Sequence, residues 1–332
     1  MDLVLNDSIH IIFIGGTGRS GTNITKKVLS KHPDVATLPF EYRFTLDPGG
    51  IFEFYSCIKN IWSPYIVQKK IRDLSCLLRQ IGKRKYIKYF LGTLLYKLNF
   101  TGKIITSPPY FDWELEKWFP NYFFHVNTLL NDLIDFEYFG TWPGESAFKI
   151  KNKMFFVSSD KDKVKVILRK FMINLIKDLL QFKKKLIFVE DNTWNVLFIK
   201  EIREILPEAK FIHVLRDPRD VVVSLKNQRW APKKLDSAIR YYSEIIDKIT
   251  ANVQEIENKN IYTFKLEELI QNPRKEIYSL CEFCNISFIE ELIEIDLSRS
   301  NTGRWRSELN LEEQILIQNK LQKYLNSFNY NR

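Results

Sequence analysis

The 332-residue sequence predicts an α/β fold of three layers, a parallel sheet flanked by helices and interrupted by a large, mostly helical insertion. Three observations predict it. A short apolar run, Ile9 to Ile14, leads into glycines and then a helical pattern, as a buried parallel strand does. Strand and helix patterns alternate again from Leu186 onward. Between them, from about 48 to 185, the chain is rich in aromatics and lysine and reads as helices, with loop signals at Ser107-Pro108-Pro109 and Trp142-Pro143-Gly144.

In chain order, the first strand is followed by a helix from about Thr22 to Lys31, which must stop before His32-Pro33 because the residue ahead of proline avoids helical geometry. Val35 to Leu38 reads as the second strand. After the insertion, Leu186 to Val189 is a strand, and a helix runs from about Asn195 to Leu206, ended by Pro207. Lys210 to Leu215 is the next strand, Asp217-Pro218 a turn, and Arg219 to about Asn227 a helix. A long helix spans roughly Lys233 to Lys259, Ile261 to Phe264 is the last strand, and the remainder is helical with a loop near 298–305. Neither an internal repeat nor a low-complexity linker is present. The expected division is therefore one domain over 1–332, with its core in 8–47 and 186–310 and the insertion at about 48–185.

With 45% hydrophobic and 27% charged residues, the composition excludes disordered and fibrous classes. The formal charge of +10 suits an anionic ligand, although runs such as Lys183-Lys184-Lys185 read as solvated faces. No base-reading or RNA-binding motif accompanies the charge, so nucleic acid is not an expected partner. Of the four cysteines, Cys281 and Cys284 form a CxxC within an apolar helical pattern. No second pair or histidine completes a metal set, so they read as core thiols. With no disulfide framework, no export signal near the N-terminus and no apolar run long enough to span a bilayer, a soluble cytoplasmic protein is expected.

The glycines after the first strand carry the chemistry. Gly15-Gly16-Thr17-Gly18-Arg19-Ser20-Gly21-Thr22 lies between strand and helix, where glycines let amide N–H groups turn toward an oxyanion and the helix N-terminus adds its positive dipole. Ser20 and Thr22 add hydroxyls and Arg19 a fixed charge. An ATP or GTP loop would place lysine after the last glycine, but Thr22 and Asn23 follow Gly21. Glu190 and Asp191, at the end of a strand, are the only candidates for a magnesium partner. A P-loop kinase or NTPase is thus the alternative reading, and a non-catalytic nucleotide-binding protein a further one.

Arg19-Ser20-Gly21-Thr22, followed by His32-Pro33-Asp34-Val35, resembles the 5′-phosphosulfate loop of sulfotransferases that use 3′-phosphoadenosine 5′-phosphosulfate (PAPS). It is most similar to the bacterial and tyrosylprotein branch, which carries arginine at this position. The resemblance implies a P-loop-like fold, PAPS as sulfuryl donor, PAP as product and no metal. It makes Gly18, Arg19, Ser20, Gly21, Thr22 and Asn23 nucleotide-binding residues.

A second segment, Phe211 to Leu225, is a strand, a turn and a helix start, with Arg216 at the strand's C-terminal end, where α/β sheets bind ligands. Arginine suits phosphate because its fork donates two parallel hydrogen bonds. Arg216 and Ser224, eight residues apart, resemble the family's 3′-phosphate-binding pair. A third segment, Ser298 to Arg306, is similar to the family's C-terminal nucleotide loop, which implies nucleotide contacts from Arg299 and near Gly303. Two departures stand out. The family's E-K-T-P loop reads Glu190-Asp191-Asn192-Thr193 here, without its lysine and proline, and Leu266 stands where the family carries tyrosine.

Sulfuryl transfer needs a base for the acceptor hydroxyl, in-line positioning and a cation at the leaving oxygen. Arg19 is the expected cation. By resemblance Glu41 is the base and Arg43, two residues on, an acceptor contact; the rival base is His125, inside the aromatic insertion. The remaining histidines, His10, His32 and His213, read as structural. The acceptor stays open among carbohydrate, lipid, phenol and tyrosyl peptide, and so does a homodimer.

Overall fold

The computed structural model describes residues 9–83, 113–142, 152–297 and 301–330, and divides into two compact units, 1–42 with 185–332, and 43–184. Arg299 lies outside the described residues.

In the first unit, five parallel strands form one sheet: β1 (His10–Gly15), β2 (Val35–Ala36), β3 (Ile187–Glu190), β4 (Lys210–Leu215) and β5 (Ile261–Lys265). Their order is β2-β3-β1-β4-β5, with β1 at the centre. Register places Phe13 beside Glu190 on one side and beside Phe211 on the other. The second strand is shorter than the pattern predicts, two residues at the sheet edge. Its neighbour Leu38 is buried beyond the pairing.

The three inner strands are buried through their middles, and largely apolar there, because both faces are covered. Ile12, Ile14, Val189, Ile212 and Val214 point to one face, against Val28 and Leu29 of α1 (Thr22–Ser30) and Ile277, Leu280, Cys281 and Cys284 of a later helix, Pro273–Cys284. On the opposite face Phe13 stacks on Phe211 at 5.8 Å. Helices α1 and α3 (Pro218–Lys226) matter for the site; α2 (Ile199–Ile205) connects β3 to β4. Asp217 caps α3 by accepting from Arg219 N, and Pro218 takes the first turn, where its missing N–H costs nothing.

Burial pushes the Cys281 and Cys284 thiols up to about 11 and about 12, which keeps them protonated and unreactive. Iodoacetamide at pH 8 on the folded protein is expected to label the exposed Cys76 and leave both unmodified. Labelling of either at the rate of Cys76, read by peptide mass spectrometry, contradicts the core-thiol assignment.

The second unit is chiefly helical: Ile51–Asn60, Pro64–Gly82, Tyr122–Leu133 and Lys161–Lys183. It also holds an antiparallel strand pair, Phe136–Gly140 with Asn152–Phe156, which the sequence pattern does not reveal. No helix among the described residues is long and apolar enough to cross a membrane.

Candidate active site

The C-terminal ends of β1, β3 and β4 lie side by side, and the segments leaving them build the site. In the first, residues 15–21, the backbone runs left-handed at Gly18 (φ 77°), Arg19 (φ 61°) and Gly21 (φ 111°). Gly21 caps α1 without a side-chain acceptor, so the helix N-terminus faces the loop with its dipole. A Cβ on Gly16 would run into Ser20 Oγ, so glycine is what allows the loop to fold over itself there. Ser20 Oγ is buried and has no hydrogen-bond partner. Thr22 is buried at the helix start and Asn23 exposed beside it.

The segment after β4 meets this loop. Arg216, 6% exposed, donates from Nη1 to Arg19 O at 2.9 Å and from Nη2 to Asn301 O at 2.7 Å. Arg19 returns the contact: its side chain is exposed to solvent, and Nε donates to Ser224 Oγ at 3.0 Å. Ser224 is fully buried on α3. Arg216 Nε has no partner, so the guanidinium keeps one buried donor in reserve. Arg19, Ser20, Arg216 and Ser224 therefore form one cluster from two segments nearly two hundred residues apart.

Asp220 adds the third segment. It is fully buried and accepts from Gly303 N at 2.6 Å and Trp305 N at 3.0 Å, while Arg216 Nη2 lies 3.9 Å from its carboxylate. Burial raises its pKa, and the two amides and Arg216 offset that. The Gly303 amide is thus spent on Asp220, and it is Asn301 O that reaches Arg216. Beneath, Arg219 pairs with Asp217 at 2.7 Å and stacks over Trp305 at 4.2 Å.

The segment after β3, residues 190–195, is tied to the phosphate loop: Thr193 O accepts Gly16 N at 2.9 Å and Asn195 Nδ2 donates to Ile14 O at 3.0 Å. Glu190 is completely enclosed, and burial, then the neighbouring Asp191, push it up to about 7. Asp191 pairs with Lys26 Nζ at 2.7 Å. Burial raises the Asp191 pKa; Lys26 lowers it, and the nearby Glu41 raises it again. The two carboxylates that stood as candidate magnesium partners are thus engaged internally, Glu190 by three N–H donors and Asp191 by the Lys26 ammonium of α1.

Glu41 is half-buried in the segment between β2 and the second unit. Arg43 opens that second unit in a 3-10 turn, with Asp47 Oδ2 at 3.9 Å. His125 lies within the second unit, 3.7 Å from Asp178 Oδ2, beside a cavity of about 180 Å³, and burial lowers its pKa. Leu266 is buried against Gly21, filling the space at the foot of the phosphate loop.

Sequence reasoning missed Lys26, Asn195, Asp220 and the pair Trp194 and Trp230, which meet edge to face at 6.4 Å above Gly18. Only Asp220 left a signal, as an acid one turn past Arg216. The others are recognisable only once the strands are aligned.

Residues 146–290 match the model of the sulfotransferase family; the matched stretch contains Arg216 and Ser224 but not the phosphate loop. Three solved structures are similar to the chain. The sulfotransferase domain of the Synechococcus PCC 7002 olefin synthase is 15% identical, with 97% of this chain and 98% of that one covered and a TM-score of 0.46. The sulfotransferase domain from the curacin biosynthetic pathway is 13% identical over 96% and 99%, with a TM-score of 0.45. A sulfotransferase from Mycobacterium avium is 12% identical over 98% and 78%, with a TM-score of 0.45. No curated protein matches. The likeness to the sulfotransferase family thus rests on residues 146–290, with Arg216 and Ser224 inside them.

Proposed function

We propose that the protein moves a sulfuryl group from PAPS to a hydroxyl acceptor by in-line transfer, with Glu41 as the base. One observation carries the reading: Arg19 Nε on Ser224 Oγ at 3.0 Å, with Arg216 on the Arg19 carbonyl, which joins two anion-binding motifs into one cradle. A donor with phosphates at both its 5′ and 3′ ends needs two such motifs side by side. The buried Ser20 hydroxyl and Arg216 Nε, both without partners, suit such a ligand.

In this reading Gly18, Arg19, Ser20, Gly21, Thr22 and Asn23 hold the 5′-phosphosulfate, and Arg216 and Ser224 the 3′-phosphate, with Arg299 and the Gly303 turn beside it. Glu41 takes the acceptor proton as the acceptor oxygen attacks sulfur. The bond from sulfur to the bridging oxygen breaks, and PAP leaves with that oxygen. Arg19 stabilises the charge developing there, as a guanidinium that stays protonated must. Arg43 contacts the acceptor.

PAP is expected to raise the melting temperature in the absence of magnesium. Radiolabelled PAPS with a panel of sugars, phenols, lipids and tyrosyl peptides then identifies the acceptor. A shift with magnesium-ATP and none with PAP or PAPS overturns the reading.

Gly21→Ala tests the loop's backbone. At φ 111° an L side chain is strained, and its Cβ would sit 2.8 Å from Leu266 Cδ1. The substitution is expected to cost about 1–3 kcal/mol of stability and to shrink the PAP-induced melting shift. Wild-type denaturation and an unchanged shift contradict this.

A further inference from the structure

The segment 38–42, which carries Glu41, is held at both ends by charged side chains from different elements. Lys26 Nζ, on α1, donates to Leu38 O at 3.2 Å. Glu190 Oε1, at the end of β3, accepts Tyr42 N at 2.6 Å. The two anchors are themselves connected, because Lys26 pairs with Asp191, the residue after Glu190, at 2.7 Å.

Glu190 does more than hold Tyr42. It is 3% exposed and also accepts Asn192 N at 2.8 Å and Asn195 Nδ2 at 2.5 Å. That same Asn195 amide reaches Ile14 O on β1, and Thr193 O takes Gly16 N. One brace, residues 190–195, therefore fixes both the root of the phosphate loop and the far end of the Glu41 segment.

Charged groups are an expensive way to fill this space. Removing the Lys26 ammonium and its Asp191 partner from water costs several kcal/mol per ion, and apolar residues of similar volume would pack without that cost. What these groups add is direction: Lys26 fixes the Leu38 carbonyl and Glu190 the Tyr42 amide, each within three residues of Glu41.

We infer that Lys26 and Glu190 are positioning residues, a two-point clamp that holds the Glu41 segment in register with the phosphate loop. The catalytic consequence rests on Glu41 as the base; the clamp itself does not, and it can be read on the backbone alone.

Hydrogen exchange on the full-length protein reads it directly. Lys26→Met and Glu190→Leu are each expected to speed exchange of the 38–42 amides by about tenfold or more with the rest of the sheet protected; Lys26→Met, which leaves the Glu190 bonds to Asn192 and Asn195 in place, is expected to retain the PAP-induced melting shift as well. Lys26→Arg and Glu190→Gln, which keep a donor for Leu38 O and an acceptor for Tyr42 N, are expected to restore most of the protection. In PAPS turnover with the acceptor found by the panel, Lys26→Met is expected to lower kcat about tenfold or more with KM for PAPS unchanged. Unchanged exchange at 38–42, or exchange rising equally across the whole unit, overturns the clamp. Full turnover in Glu41→Gln beside fast exchange in the clamp variants removes the base and leaves the clamp standing.

Discussion

Arg19→Ala is expected to lower kcat for sulfuryl transfer by about 10²–10³-fold, the usual effect of deleting a group aimed at developing charge. The fold should be untouched. Arg19 is exposed, its one fixed side-chain contact is Ser224 Oγ, and alanine keeps the same left-handed backbone as another L residue. Surface changes of that kind move stability by about 0.5 kcal/mol or less. The prediction is therefore a split: melting temperature as in the wild type, and turnover of radiolabelled PAPS nearly lost. Arg19→Lys should recover part of the rate, because it restores charge but not the guanidinium fork. Turnover of Arg19→Ala within about threefold of wild type would remove it from the transition state.

Arg216→Ala is expected to do the opposite in one respect, weakening fold and nucleotide binding together. Arg216 is buried, and its loss strips donors from Arg19 O and Asn301 O and removes the cation beside Asp220. Breaking a buried pair from one side costs about 3–5 kcal/mol, since the remaining charge stays enclosed. Asp220 keeps its two amide donors, which places the expected loss near the lower end of that range. If PAP affinity falls about 100-fold, PAP at a concentration that stabilises the wild type by about 2.7 kcal/mol should stabilise the variant by only about 0.4 kcal/mol. Urea denaturation with and without PAP reads both effects. Ser224→Ala is the milder companion, losing one hydroxyl and the Arg19 contact. A wild-type PAP response in Arg216→Ala contradicts the 3′-phosphate assignment.

The Arg19 and Arg216 predictions differ because only burial separates two residues of the same type. Nothing in the sequence marks that difference. Both arginines follow apolar strands and both precede helices, yet one ends in solvent and the other under the Asn301 turn. The departures from the family pattern behave alike. Asp191, which stands where the family's loop carries lysine, pairs with Lys26, a residue that in sequence is one more charged position on an amphipathic helix. Leu266, which carries no hydroxyl for a nucleotide, packs against Gly21.

The sequence by itself determined the sheet, the glycine-rich turn between β1 and α1, and the spacing of Arg216 and Ser224 about the start of α3. These are written in local pattern: apolar runs with the period of strands, glycines between strand and helix, and a fixed spacing along one helix start. It also determined that Cys281 and Cys284 face the core, through the helical spacing around them. Only the tertiary structure decided which side chains meet. The Arg19–Ser224 contact, the hold of Asp220 on the Gly303 turn and the Lys26–Asp191 pair each join residues between 83 and 205 positions apart or from separate elements. The antiparallel strand pair of the second unit was hidden for a related reason: its strands carry charge and aromatics together, without the alternation of a half-buried ladder. Local periodicity reports the face a residue turns inward. What waits on that face depends on the order of the strands, and β1 acquires its neighbours β3 and β4 from sequence more than 150 residues away.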